Sequence, residues 1–328
     1  MKHSSRMFFA LLTIGLTVFA VIPSFSQIQS NTNVVEATVA ILKGPSGISA
    51  AWMVADPPQE GGLRIKFLTA GGADIVTAKL ISGEVDAGVL PVNVAAKLYN
   101  SKIPIVAVSV VGNGMVRFLT SDKSIRTLAD IKGKTIYVAG QKATPDYLFR
   151  FLSDSIGLKA EVDYTPIYNL AYPEIAAGLA TGKVTSAILP EPFATQACLL
   201  NKDLISPIDL DALWKEKTGL AGYPMSLFVM SRSFIEKHPD AARAIAQAYK
   251  KSIEHTTSDP ASTAALVEKL DLGMAASIAK AAIPNSRYVY ISAREAKSNV
   301  DALLSVFLSF DPDSIGGKLP DPGFFADF

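Results

Sequence analysis

The chain is poor in side chains that do covalent or metal chemistry. Its only histidines are His3, His238 and His255, and its one cysteine is Cys198. His238 and His255 fall on one stretch that reads as a helix. No HExxH, CxxC or His/Cys cluster sets ligands at metal spacing. Gly44-Pro45-Ser46-Gly47 lacks the GxSxG spacing, and no histidine lies near it in sequence. Neither GxxxxGK(S/T) nor a GxGxxG after a strand is present. No catalytic residue, metal or cofactor is therefore expected, and Cys198 is read as a small buried hydrophobe.

Residues suited to noncovalent capture are more plentiful, and they cluster where a strand hands over to a helix. Backbone N–H groups at helix starts bind anions or carbonyl oxygens without a charged side chain, and glycine there allows close approach. The candidate ligand contacts begin with Ser46 and Gly47, Gly72 and Ala73, and Pro91 and Asn93. Gln141, Thr144, Tyr168, Asn169 and Glu191 follow in later loops of the same kind. Asn113 sits in a glycine-flanked hinge, and Tyr223 near the second junction. Tyr168, Tyr172, Phe193 and Tyr223 could each stack a flat ligand or pack in a core. Glu191 could accept from a ligand amine or ring N–H, or cap the helix that begins at Pro192. Trp52 is read as core packing.

A repeat positions these loops. Ile75–Lys97 (IVTAKLISGEVDAGVLPVNVAAK) and Glu174–Gln196 (EIAAGLATGKVTSAILPEPFATQ) align at constant offset. They share Gly83/Gly182 and Leu90-Pro91/Leu189-Pro190. Each copy reads as helix, glycine turn, short apolar strand and proline-initiated helix. In open parallel sheets, ligands sit beyond the carboxyl ends of the strands. Two such edges facing each other would form a cleft.

Strands are expected at Val34–Lys43, Arg64–Thr69, Val85–Leu90, Ile105–Val111, Met115–Ser121, Thr135–Ala139 and Tyr223–Ser231, and Val162–Pro166 leads to the second repeat. Their alternation with helices predicts parallel α/β sheets. Thr127 and Asp130 predict a capping box, and Thr144-Pro145-Asp146 a helix start with Thr144 as cap. A long helix is expected from Ser233 to about Thr256, another after Asp259-Pro260, and a last one capped at Ser292 and ending near Phe310. The tail beyond reads as coil. With crossings near Asp122 and Gly222, lobe one comprises 27–121 and 223–328, and lobe two 122–222.

Residues 1–26 read as a signal peptide. Lys2 and Arg6 form a basic start, Met7 to Ile22 carries no charge, and Ser24-Phe25-Ser26 suits cleavage. The apolar run is shorter than the ~20 residues of a membrane span. Without the leader, 29 basic residues face 30 acidic ones. That balance gives no broad footprint for nucleic acid. The lone Cys198 allows no intrachain disulfide and no lipid anchor at the cleavage site.

The phrases GPSG, GEVDAGVLPVN and TLADIKGKTIYV, followed in order by TPDYLFRFL, ATGKVTSAILPEPFAT and YPMSLFVMSRSFIEKHPD, carry a resemblance. The chain is similar to solute-binding proteins of ABC importers, in the NMT1-like branch that handles nitrate, sulfonates, bicarbonate and thiamine-pyrimidine precursors. The resemblance implies a two-lobed type II periplasmic-binding-protein fold with two crossover segments. It also implies a monomer in the periplasm that traps a small molecule by hinge closure and docks on a permease with its ATPase. No nucleic-acid partner or stable membrane insertion is implied. A buried Glu191 is awkward for a small anion, which favours a neutral, heterocyclic or amine-bearing ligand. Two other readings remain: an enzyme on the same fold acting on a pyrimidine-type molecule, or a ligand sensor for a membrane receptor.

Overall fold

Two sheets organise residues 34–327, the part of the chain that the computed structural model describes. The expected leader and its cleavage point lie outside the described residues. The chain begins β1 (Val35–Leu42), α1 (Pro45–Ala55), β2 (Leu63–Ala70) and α2 (Ala73–Ser82). It continues with β3 (Ala87–Pro91), α3 (Val92–Asn100) and β4 (Ile105–Asn113). β1, β2 and β3 are parallel, as the alternation predicts. The run IVAVSVV of β4 is buried along its length, which is why it shows no polar alternation.

At Gly114, which takes a φ of 65°, the chain leaves this sheet. β5 (Val116–Thr120) pairs antiparallel with β8 (Ser186–Pro190) in the second sheet. The first crossing thus lies at Asn113–Met115 rather than near Asp122, because the glycine turns the chain one strand earlier. β6 (Thr135–Val138), α4 (Thr144–Asp154), β7 (Thr165–Ile167) and α5 (Tyr172–Ala180) precede β8, and α6 (Phe193–Leu200) and α7 (Leu210–Thr218) follow it. The second sheet has the order β5-β8-β6-β7.

The chain then returns through β9 (Pro224–Ser231), which lies antiparallel between β3 and β4. The first sheet is therefore mixed, in the order β10-β4-β9-β3-β1-β2. The expected long helix is two: α8 (Arg232–Lys237) ends at His238, and Pro239 opens α9 (Pro239–Ser258). A proline is tolerated in a first helical turn but not inside one. α10 (Pro260–Lys269) and α11 (Ala276–Ala282) come next, then the edge strand β10 (Tyr288–Ser292) and α12 (Lys297–Phe310). The tail has little regular structure but is packed: Phe324 and Phe325 are buried, and Ala326 donates its amide to the Ala107 carbonyl at 2.8 Å.

The six-stranded sheet with its helices is lobe one, and the four-stranded sheet with α4–α7 is lobe two. Their apolar cores join through α12. Its Phe307 and Phe310 rings lie 4.8 and 5.6 Å from that of Tyr147 on α4. No helix among the described residues is long and apolar enough to cross a membrane.

Candidate functional site

The strand-to-helix loops of both lobes meet around one cleft of about 730 Å³. Lobe one supplies Lys43 and Ser46 after β1, Gly72 and Ala73 after β2, and Leu90 and Pro91 at the end of β3. Lobe two supplies Gly140 and Gln141 after β6, Tyr168–Pro173 after β7, and Glu191 and Phe193 after β8. Met115 and Met225 from the two crossings form the floor with Ser226. Eight of the expected residues are brought together here: Ser46, Gly72, Ala73, Pro91, Gln141, Tyr168, Asn169 and Glu191.

Five expected residues lie elsewhere. Gly47 packs inside α1, where a Cβ would sit 2.8 Å from the Leu272 carbonyl oxygen. Asn93 turns from the cleft and is buried beside a groove lined by Thr77, Ile81 and Lys142. Asn113 supports the crossings, its amide lying where a side chain on Gly222 would be. Thr144 is a buried first residue of α4, and Ala143 takes the cap position expected of it. Tyr223 is fully buried between the crossings, its hydroxyl oxygen accepting from the Val116 amide at 3.2 Å. The loop reading missed Lys43, Met115 and Met225. The two methionines lie on the crossings, where no strand-to-helix junction marks them.

The walls differ in polarity. At the starts of α1, α2 and α3, no side chain accepts from the first backbone amides. Lys43 stands beside α1, its Nζ 2.5 Å from Asp271. Asp74 in the first turn of α2 accepts no backbone amide, whereas lobe two brings an amide-bound carboxylate to each corresponding start. Asp146 accepts the Lys142 amide before α4 at 2.8 Å, and Glu174 accepts the Ala171 amide at α5 at 2.8 Å. Glu191 accepts the Thr195 amide in α6 at 2.9 Å. Its other oxygen lies 3.2 Å from Arg117 Nη1 of β5.

Of the two roles open to Glu191, the geometry shows the cap. Its side chain is fully buried at the cleft wall with both oxygens engaged. Burial pushes its pKa up, opposed by the Thr195 hydrogen bonds and the Arg117 charge. Because Arg117 offsets that charge, Glu191 is no argument against an anionic ligand. Tyr172 and Phe193 stand edge to face at 5.8 Å, placing an aromatic corner on lobe two. Trp52 is remote and half-buried; its Nε1 donates to Thr263 Oγ1 at 2.8 Å. His238 and His255 are absent from the cleft, and His255 packs against Trp52 with ring centroids 5.3 Å apart.

Residues 44–270 match the model of the NMT1-like family. No curated protein sequence matches the chain. An ABC transporter structure from Parabacteroides distasonis is 28% identical and superposes with a TM-score of 0.75, over 89% of this chain and 98% of that one. The periplasmic aliphatic sulphonate binding protein SsuA of Escherichia coli is 18% identical, with a TM-score of 0.68 over 88% and 92% of the two chains. The periplasmic nitrate-binding protein NrtA of Synechocystis PCC 6803 is 13% identical, with a TM-score of 0.62 over 86% and 84%. The fold is that of these two-lobed periplasmic binding proteins.

Proposed function

This chain belongs to the NMT1-like family, and from that premise we propose that it is the extracytoplasmic solute-binding component of an ABC importer. It captures a small organic molecule between its lobes, closes about the two crossings and delivers the cargo to a membrane permease served by an ATPase. The observation that carries this reading is the shared cleft. Six strand-to-helix loops and both crossings line it, and the backbone turns at Gly114 and Gly222 (φ 65° and 70°) between the lobes. Glycine adopts such angles without strain, so these two positions are where a hinge rotation would be absorbed.

The lining is largely apolar and aromatic, which suits an organic body better than a bare inorganic ion. The similarity to periplasmic binding proteins supports a periplasmic location, and we read the mature protein as a monomer exported by a cleaved leader.

The test is a thermal-shift screen of protein refolded to strip bound ligand, against nitrate, bicarbonate, sulfonates, pyrimidines, thiamine and amino acids. A ligand ~100-fold above its Kd adds about 2.7 kcal/mol, a rise of several degrees. A hit recovered unchanged, with compaction in small-angle scattering, is the expected result. A hit recovered chemically altered, or binding with no compaction, would overturn capture by closure.

A further inference from the structure

The ring of Tyr168 lines the cleft, but its hydroxyl turns to the wall and donates to Asp146 Oδ1 at 2.8 Å. Asp146 stands in the first turn of α4 and is 2% exposed. Its Oδ2 accepts the Lys142 amide at 2.8 Å, and Arg150 Nε lies 3.6 Å from Oδ1. A carboxylate so placed only accepts, and the Lys142 amide only donates, so the Tyr168 proton is committed to Asp146. What remains to Tyr168 for any other partner is an oxygen lone pair and a ring face. Both are electron-rich, and both favour a donor or a cation.

The opposite wall has the reverse bias at the starts of α1 and α3, which no carboxylate caps; the nearby Lys43 ammonium is paired with Asp271, and α2 carries Asp74 in its first turn. We infer that Asp146 is a positioning residue that fixes Tyr168 as an electron-rich contact, so that the captured molecule presents an amine, ammonium or other N–H group to lobe two and an acceptor or anionic group to lobe one. This rests on the capture reading above and names the chemistry of its ligand.

Two probes test it: 4-aminobenzenesulfonate, with an anionic end and an N–H end, and 4-sulfobenzoate, which offers acceptors at both. Wild type should bind the amine about tenfold more tightly, the scale expected when one buried polar group is left without a partner. In Asp146→Asn the amide oxygen must stay on the Lys142 N–H, which turns the NH2 toward Tyr168. Tyr168 then accepts, its proton is freed, and the preference should fall below about threefold or reverse. Tyr168→Phe, which leaves Asp146 in place, should also lose most of it.

A ligand-free readout separates this from the capture reading. The Tyr168 ¹³Cζ resonance, assigned by its loss in Tyr168→Phe, should shift toward the phenolate position in wild type and back in Asp146→Asn. An unmoved resonance, or an amine preference unchanged in both variants, overturns the inference. If other small molecules bind but neither probe does, the ligand class is wrong. If nothing binds, the capture reading falls, while the resonance still reports on Asp146 and Tyr168.

Discussion

From the crossover strand outward, lobe one runs β9-β3-β1-β2 and lobe two runs β5-β8-β6-β7. In each, the crossover strand is antiparallel and the other three are parallel. The turn glycines of the repeat adopt nearly the same conformation, with φ of 75° at Gly83 and 73° at Gly182. The lobes part company at the cleft. There Leu90-Pro91 leads into an uncapped helix, and Leu189-Pro190 into one capped by Glu191. One plan thus yields an amide-rich wall and a carboxylate-backed aromatic wall, because the scaffold constrains the strands far more than the residue after each proline.

Breaking the wall of lobe two should have the largest effect. Arg117→Met leaves the Glu191 carboxylate buried without a charge partner, and removing one member of a buried pair costs about 3 kcal/mol. A drop of roughly 5–10 °C in melting temperature is expected. Arg117→Met with Glu191→Gln should recover most of it. The pH dependence has a definite sign. With the pKa of Glu191 raised in the folded state, wild type loses stability as pH rises from the ordinary glutamate value through the folded one. Glu191→Gln should lack that loss, so denaturant melts across pH 4 to 7 would show the two curves diverging.

Next in size are the glycines. Gly114→Ala places a Cβ 2.5 Å from Asp211 Oδ1 at a positive φ, and should cost about 2 kcal/mol. Gly83→Ala and Gly182→Ala meet nothing within 4 Å and should each cost about 1 kcal/mol. Equal losses at these two would show that the lobes are alike away from the cleft; unequal ones would break the comparison.

A third test makes lobe one resemble lobe two. Pro91→Asp would give α3 the carboxylate it lacks, and should weaken an anion-ended ligand by about tenfold with little change in stability. The reciprocal change, Glu174→Ala, removes the α5 cap and should cost about 1 kcal/mol.

The repeat was legible because glycine turns and Leu-Pro strand ends are local signals. The antiparallel crossovers were not, since an apolar run such as YPMSLFVMS carries no direction. Within the cleft, the loops were legible and the faces were not. Asn93 lies two residues beyond Pro91 on the same helix start, about 200° around the axis, and so falls on the far side. The cap role of Glu191 was open in sequence because its second partner, Arg117, arrives from a strand 74 positions away.

The smallest expected effect bears on how the walls are held together. Lys142 follows Gln141 of the cleft and reaches from lobe two to Asp311 at the end of α12, with Nζ and Oδ2 3.1 Å apart. Tyr147 donates to the same Asp311 oxygen at 3.2 Å, and the Lys142 hydrogen bond, aided by its charge, lowers the pKa of Asp311. Lys142 is mostly exposed, with 69% of its side chain open to solvent, so salt and water screen the pair. Lys142→Ala should therefore leave the melting temperature essentially unchanged at physiological salt. If the pair also biases the lobes toward one another, the variant should lower ligand affinity about twofold at low ionic strength and not at all in ~1 M salt. A larger, salt-independent loss would mean that Lys142 meets the ligand itself, and lobe two would then carry a cation on the wall assigned here to electron-rich groups.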